Sequence, residues 1–135
     1  MGKHHDDLDI VKFIVNFEDG SEKEVPVASV DEVLVSIPEG TTYQMTIVFT
    51  VSNRTLKSLK YKQVVRKGGI PLKSKELYLG DEFEPREEPY TKQFEKDTTP
   101  SGFLYRGTFP STSTYFAGEE ELFTSDWTLE VTKKA

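Results

Sequence analysis

Apolar and polar side chains alternate along much of this chain. The clearest stretch is residues 43–51, where one side carries Tyr43, Met45, Ile47, Phe49 and Val51. The same period of two recurs over 11–17, 103–109 and 127–131. Such alternation is typical of β-strands with one buried face, and the β-branched and aromatic residues in these runs suit a pleated surface.

Turn signals containing Gly, Pro, Asp or Ser separate these runs at 18–21, 38–40, 67–69 and 99–102. Together the two patterns predict strands near 10–17, 23–29, 32–37, 42–52, 58–67, 76–80, 102–109, 112–117 and 126–133. No amphipathic helix of three turns is predicted, and at most a short helical turn is expected near 117–123. The longest predicted connection is 81–100, which is rich in charge and contains three prolines.

Many short strands with evenly spaced turns predict an all-β protein, and the length of 135 residues suits one antiparallel sandwich of the immunoglobulin-like type. Residues 1–9 are predicted to form a polar N-terminal tail, and residues 10–135 the sandwich domain. Spacing alone leaves open whether the two inner faces close completely or leave a slot.

Composition narrows the functional classes. The chain has no cysteine, which excludes disulfides, zinc–thiolate sites and a thiol nucleophile. It has no apolar run long enough to span a membrane and no signal-peptide core, so we expect a cytoplasmic protein without stable membrane insertion.

Charge is unevenly distributed. The net charge of −6 argues against nucleic-acid binding, because phosphate contacts need a basic surface. Residues 54–75 nevertheless contain eight basic side chains and no acid, whereas 81–97 contain seven acids against three bases. These segments are either solvated faces or separate docking surfaces for a partner, and the acidic one suits a polybasic peptide.

Catalysis finds little support in the sequence. The only histidines, His4 and His5, are adjacent in the polar tail, and no nucleophile–histidine triad can be assembled. Gly68 and Gly69 follow a predicted strand without a phosphate-loop motif, so a tight turn is the better interpretation. We expect no enzyme activity, no catalytic residue, no cofactor and no metal site.

Several short segments, taken in order, resemble the Rho GDP-dissociation inhibitor family. They are Leu59–Gln63 with Arg66–Gly68, Leu77–Gly80 with Pro85 and Arg86, Pro100–Gly107, and Trp127–Leu129 ending in Lys133 and Lys134. Their succession, from about residue 8 to the end, carries the resemblance more than any single motif does.

The resemblance implies an immunoglobulin-like sandwich with an apolar pocket between its sheets. Members of the family take the geranylgeranyl group of a GDP-bound Rho-family GTPase into this pocket, extract the GTPase from membranes and hold it in the cytosol. We therefore expect such a GTPase as partner of a monomeric protein. Only about nine residues precede the first predicted strand, so the regulatory N-terminal arm of the family is expected to be missing or trimmed.

The resemblance also implies site residues. Val35, Leu56 and Trp127 match pocket-lining positions of the family. Strand parity adds four plausible neighbours, Leu77, Leu79, Leu104 and Leu129. Asp97 matches an acid at the pocket mouth that contacts the basic tail of the GTPase.

Two departures from the family pattern concern this pocket. Ser125 stands where an aromatic residue often precedes the matched tryptophan, which implies a wider or differently shaped pocket. Lys73 stands at the position of a second mouth acid, and Glu76 is the alternative match for that GTPase contact.

Three other readings stay open. A general prenyl- or lipid-cargo carrier, similar to the delta subunit of rod phosphodiesterase, would share the chemistry but accept farnesylated cargo more broadly. A carbohydrate- or peptide-binding sandwich would use exposed aromatics or a sheet edge. A purely structural domain would have a closed core.

Overall fold

The computed structural model describes residues 4–28, 30, 32–99, 101–102 and 105–133. Within these ranges the regular elements are strands. The described residues contain no helix that is long and apolar enough to cross a membrane. The strands are β1 (His4–His5), β2 (Leu8–Phe17), β3 (Glu22–Pro26), β4 (Leu34–Pro38), β5 (Thr42–Val51), β6 (Leu56–Lys67), β7 (Ile70–Phe83), β8 (Tyr90–Gln93), β9 (Asp97–Thr98), β10 (Gly107–Ala117) and β11 (Glu120–Thr132).

These strands form two sheets that pack face to face. The first sheet, sheet A, has the order β1-β2-β5-β8, with β3 also paired to β2 and β9 also paired to β5. The second sheet, sheet B, has the order β4-β11-β10-β6-β7. All pairs are antiparallel except β4 with β11. The predicted all-β, immunoglobulin-like sandwich is therefore confirmed, with one parallel pair added.

The core lies where the inner faces of β5 and β6 meet. On β5 the alternating side chains Ile47, Phe49 and Val51 are fully buried, as the pattern predicts. They join Leu59 and Tyr61 of β6 in one apolar cluster that spans both sheets. Burial of these large side chains supplies the main force that holds the sheets together.

The predicted long connection at 81–100 is wrong in part. β7 continues to Phe83, and two short strands, β8 and β9, pair with β5. The ring of Tyr90 in β8 stacks on the ring of Phe49, with centroids 5.6 Å apart. A strand of four residues held by one buried ring has too few alternating positions to be visible in the sequence.

Pro110 misled the prediction of two separate strands at 102–109 and 112–117. The structure has a single strand there, β10, which runs through Pro110. Pro110 pairs with Thr128 of β11, but β6 joins the other side of β10 only from Ser111 onward. Because that side of the backbone is unpaired at Pro110, the missing N–H costs no interstrand hydrogen bond.

Two predicted boundaries also differ. The expected helical turn near 117–123 is wrong, because Gly118 and Glu119 form a hairpin turn that leads directly into β11. At the other end, β2 begins at Leu8, and this side chain, assigned to the polar tail, is buried in the core.

Candidate functional site

The two sheets separate at one end of the sandwich and leave an apolar slot. The outer part of this slot encloses about 430 Å³. It lies between β5 and β9 of sheet A and the strands of sheet B. Its lining residues are Val35, Ile37, Tyr43, Met45, Gln63, Val65, Leu72, Lys73, Asp97, Thr98, Thr99, Tyr105, Phe109, Trp127, Leu129 and Val131. The volume falls in the range of roughly 300–1,000 Å³ that is usual for small-molecule sites.

The slot narrows towards the middle of the sandwich. The inner part has only about 30 Å³, and it shares Val35, Met45, Gln63 and Trp127 with the outer part. The ring of Tyr115 stacks on that of Phe123, with centroids 4.8 Å apart, and lies 5.0 Å from that of Tyr61. Since Tyr61 and Tyr115 line the inner part, these packed rings form its closed end.

Three polar side chains cross the sheet B wall of the inner part in one row. Ser113 pairs with Gln63 of β6 on one side and with Ser125 of β11 on the other. Nε1 of Trp127 donates a hydrogen bond to Oγ of Ser113, over 3.0 Å. This bond fixes the indole plane along the wall. Ser113 and Ser125 are small, so the row gives depth that aromatic side chains would fill.

Charged side chains link the two sheets at the mouth of the slot. Nζ of Lys73 lies 3.0 Å from Oδ2 of Asp97, and Nζ of Lys75 lies 3.4 Å from the same oxygen. Both lysines are on β7 in sheet B, whereas Asp97 is on β9 in sheet A. Burial by itself would raise the pKa of Asp97, but hydrogen bonds from Lys73 and the Thr98 N–H, with the charges of both lysines, hold it below its usual value.

Tyr43 lies beside this charged group on the wall of sheet A. Burial, with a smaller contribution from the negative charge of Asp97, raises the pKa of its hydroxyl to about 12. The phenol therefore stays neutral at physiological pH, and the apolar wall carries no charge at this point.

The pocket residues expected from the resemblance and from strand parity fall into three groups. Val35, Trp127 and Leu129 line the slot, and Leu77 lines a small side branch next to it. Leu56 and Leu79 are buried in the core and are not among the slot-lining residues. Leu104 lies outside the described residues.

The two predicted GTPase contacts, Asp97 and Glu76, differ in position and in their ion pairs. Asp97 lies at the mouth, but its carboxylate is already engaged by Lys73 and Lys75. Glu76 is exposed on β7, with Oε1 3.8 Å from Nζ of Lys60, and it does not line the mouth.

Sequence reasoning missed part of the lining. Tyr43 and Met45 could have been found, because the alternation of β5 already puts them on the inner face. Gln63 and Ser113 gave no signal, since a polar residue on a strand is usually taken to face solvent. Their inward direction depends on the register of β6 and β10.

The acidic segment 81–97 does not form one surface. Phe83, at the end of β7, pairs with Leu56, so Asp81 and Glu82 lie at the end of the sandwich opposite the mouth. Of the acids in this segment, only Glu95 and Asp97 line the slot or its side branch. The acids of this segment therefore do not form a single docking surface.

Residues 7–134 match the model of a family described as RHO protein GDP dissociation inhibitor. The Rho GDP-dissociation inhibitor of Saccharomyces cerevisiae is 29% identical over 102 residues, which cover 73% of this chain and 50% of that protein. The protein of the same name from Schizosaccharomyces pombe is 27% identical over 124 residues, or 88% of this chain and 56% of that protein. The chain thus spans about half the length of these curated relatives.

A solved structure supports the fold independently. The structure of a Niemann-Pick type C2 protein from the Japanese carpenter ant superimposes with a TM-score of 0.55 over 98% of both chains, at 6% sequence identity. At this identity the likeness concerns the fold alone. The sandwich architecture is therefore shared with a protein of unrelated sequence.

Proposed function

Because the chain belongs to the RHO protein GDP dissociation inhibitor family, we propose that it binds a GDP-loaded Rho-family GTPase and shelters the prenyl group of that GTPase in the slot between its sheets. In this role it extracts the GTPase from membranes and holds it in the cytosol. A general carrier of prenylated cargo is the second candidate, because nothing in the lining selects one isoprenoid length.

The observation that carries the proposal is an apolar slot that is closed at its inner end and open at the mouth. Each methylene transferred out of water contributes about 0.8 kcal/mol, so exposing an isoprenoid of about twenty carbons in the cytosol costs on the order of 10 kcal/mol. A slot of about 430 Å³ lined by Val, Leu, Met and aromatic side chains offers a second apolar phase. Transfer from bilayer to protein then becomes nearly neutral in free energy.

Specific residues have distinct roles in this proposal. Val35, Trp127 and Leu129 of sheet B contact one side of the lipid, and Met45 of sheet A contacts the other. Leu77 extends the site into the side branch. Leu56 and Leu79 do not contact the lipid in this proposal. They are buried in the core, where they support the strands that carry the lining.

The mouth would contact the polypeptide that precedes the prenylated cysteine. Asp97 meets the basic tail of the GTPase only if the tail displaces Lys73 or Lys75 from its carboxylate. Glu76, which is exposed and weakly paired, is available without such a displacement. Exposed charge pairs of this kind mainly affect encounter rate and weaken with salt.

The family acts as a regulator and not as an enzyme. We propose accordingly that the chain catalyses no reaction and works as a monomeric cytoplasmic carrier. In the described part of the chain, no three His, Asp or Glu side chains gather in a geometry that could hold a metal ion.

The single tryptophan makes this proposal directly testable. Trp127 lines both parts of the slot, so a bound isoprenoid should shift its fluorescence to shorter wavelength and shield it from acrylamide. A geranylgeranylated C-terminal peptide of a Rho GTPase should produce both effects. The same peptide without the lipid should produce neither, and equal responses to the two peptides would contradict the proposal.

A matched pair of variants separates pocket binding from general adhesion. Leu129→Glu places a charge in the slot lining, whereas Leu34→Glu places one on an exposed site of the neighbouring strand. Leu129→Glu should abolish the response of Trp127 to the prenylated peptide, and Leu34→Glu should leave it unchanged. Equal affinity for farnesylated and geranylgeranylated peptides from unrelated proteins would favour the general carrier.

A further inference from the structure

The tip of the hairpin formed by β6 and β7 holds large apolar side chains in solvent. Ile70 is 71% exposed and Leu72 is 46% exposed. A single exposed aliphatic residue needs no explanation, because much of any protein surface is apolar. Two of them beside one tight turn, with Pro71 between them, form a small apolar cap on a projecting hairpin.

The local backbone makes this tip stand clear of the rest of the molecule. The turn residues Gly68 and Gly69 both have positive φ, 59° and 82°, which is typical of a tight two-residue hairpin turn. A Cβ atom placed on either glycine would meet nothing within 4 Å. Register then shifts from Arg66 opposite Pro71 to Val65 opposite Lys73, so Leu72 is an extra, bulged residue. Bulges of this kind redirect a side chain.

Basic side chains flank the apolar tip on both strands. Arg66 and Lys67 precede the turn, Lys73 and Lys75 follow it, and no acid occurs between Arg54 and Lys75. Asp97 bonds both Lys73 and Lys75, and Arg66 lines a groove that also contains Glu32 and Asp126. An apolar tip flanked by basic side chains is complementary to an anionic lipid surface, where the tip enters the headgroup region and the bases meet phosphate or carboxylate groups.

The tip is continuous with the mouth of the slot. Leu72 and Lys73 line the mouth directly, and so does Tyr105, which is 40% exposed. Tyrosine favours the membrane interface because its ring is apolar and its hydroxyl is polar. A bilayer that contacts the tip therefore lies directly in front of the mouth.

We infer that the β6–β7 tip, Arg66–Lys75, is a docking element for the surface of an anionic phospholipid bilayer, and that it orients the open slot towards the membrane. A narrow hairpin tip suits a headgroup layer better than a protein partner, because a stable protein interface needs a broad patch of roughly 800 Å² on each side.

The acids at the far end of β7 do not oppose this contact. β7 carries Glu76 about halfway along its length, and its next acid is Asp81, eleven residues beyond Ile70. At about 3.3 Å per residue it lies roughly 35 Å from the tip along the strand, several times the Debye length of about 8 Å at physiological salt. The acids at that end are therefore screened from a membrane at the tip.

Sedimentation with vesicles tests the inference without any prenylated partner. The full chain should bind phosphatidylcholine vesicles that contain phosphatidylserine, should bind pure phosphatidylcholine vesicles weakly, and should be released by salt. The double variant Ile70→Ser with Leu72→Ser should weaken binding about tenfold. Lys67→Gln should weaken it about fivefold, the factor expected for one basic residue near an anionic leaflet.

Matched controls lie elsewhere on the same sheet. Tyr78, eight residues beyond Ile70 on β7, is 50% exposed, so Tyr78→Ser removes exposed ring surface away from the tip. Lys57 is exposed at the other end of β6, so Lys57→Gln removes the same charge far from the tip. Both controls should bind vesicles as the unmodified chain does. The absence of any prenylated partner from this assay separates the inference from the proposed prenyl site.

A fluorescent label gives a second, direct readout. Since the chain has no cysteine, Ile70→Cys offers one thiol for an environment-sensitive dye. Its emission should shift to shorter wavelength on vesicles that contain phosphatidylserine. An unchanged emission, or equal vesicle binding by tip and control variants, would overturn the inference. Tip variants that keep vesicle binding but lose affinity for an unprenylated GTPase would instead assign the tip to a protein interface.

Discussion

The two ends of the sandwich are built from the same strands but pack differently. At the end of the sandwich opposite the mouth, called the closed end of the sandwich below, the ring of Phe49 contacts Phe83 edge to face, with centroids 5.1 Å apart, and stacks on Tyr90. The guanidinium of Arg86 lies over the ring of Tyr90, 3.6 Å from its centroid. At the mouth, Tyr43 and Met45 continue the same face of β5 but remain partly exposed along the slot.

Charged groups at the two ends differ in the same way. At the closed end Arg54 bonds both Asp7, at 2.7 Å, and Glu120, at 2.9 Å, which ties β1–β2 to the β10–β11 hairpin. At the mouth, Lys73 and Asp97 join the sheets across an opening. The contrast teaches that a single alternating pattern can yield either a filled core or a slot, depending on which side chains lie opposite.

The largest expected effect comes from truncating the closed end. Phe49→Ala should destabilise the fold by about 3–5 kcal/mol, because a fully buried ring leaves a cavity that its neighbours cannot fill. Met45→Ala, on the same strand face, should cost less than half as much, since its side chain already borders open space. Urea unfolding of both variants measures the difference. Equal losses would mean that the slot is packed like the core.

A smaller effect should appear at alkaline pH. The pKa of Tyr43 is 10.0 in an unfolded chain and about 12 in the fold, so its neutral phenol contributes stability below pH 10 that is lost as pH rises towards 12. The loss should not exceed about 2–3 kcal/mol. Comparing unfolding of the unmodified chain and Tyr43→Phe across this range isolates it, and parallel pH profiles for the two chains would contradict the assignment.

The smallest effect concerns the ion pair at the mouth. Asp97→Asn should cost at most about 0.5–1 kcal/mol, because both lysines are substantially exposed and screened by solvent. The folded pKa of Asp97 lies below 3.8, so its contribution is present above that pH and disappears as pH falls further. Denaturation at pH 7 and at acid pH measures it. A cost above 2 kcal/mol at pH 7, twice what an exposed pair supplies, would show that the pair holds the sheets together.

The sequence predicted the fold well where alternation was long. The faces of β5, β11 and residues 13–17 of β2 could be read directly, because a strand with one buried side repeats every two residues. In the first half of β2 a bulge after Ile10 shifts this alternation, so Ile10 is buried where the pattern put Val11. Prediction failed at β8, which has only four residues. It also failed at Pro110, because a proline is tolerated within β10 only where the neighbouring strand β6 does not pair with it. The family resemblance pointed to Val35 and Trp127, and strand parity pointed to Leu129, all of which line the slot. Neither could separate slot-lining residues from Leu56 and Leu79, which are buried in the core.

By itself, the sequence determined an all-β chain without cysteine, most of the turn positions, the inner faces of β5 and β11, and the uneven charge. Only the tertiary structure decided that Ser113 and Ser125 lie beside Gln63 in the slot, that Asp97 meets two lysines, and that Asp81 and Glu82 lie far from the mouth. The physical reason is that alternation specifies which side of a strand faces inward. It does not specify which residues of other strands lie opposite, and that arrangement decides whether the space between two sheets is filled or open.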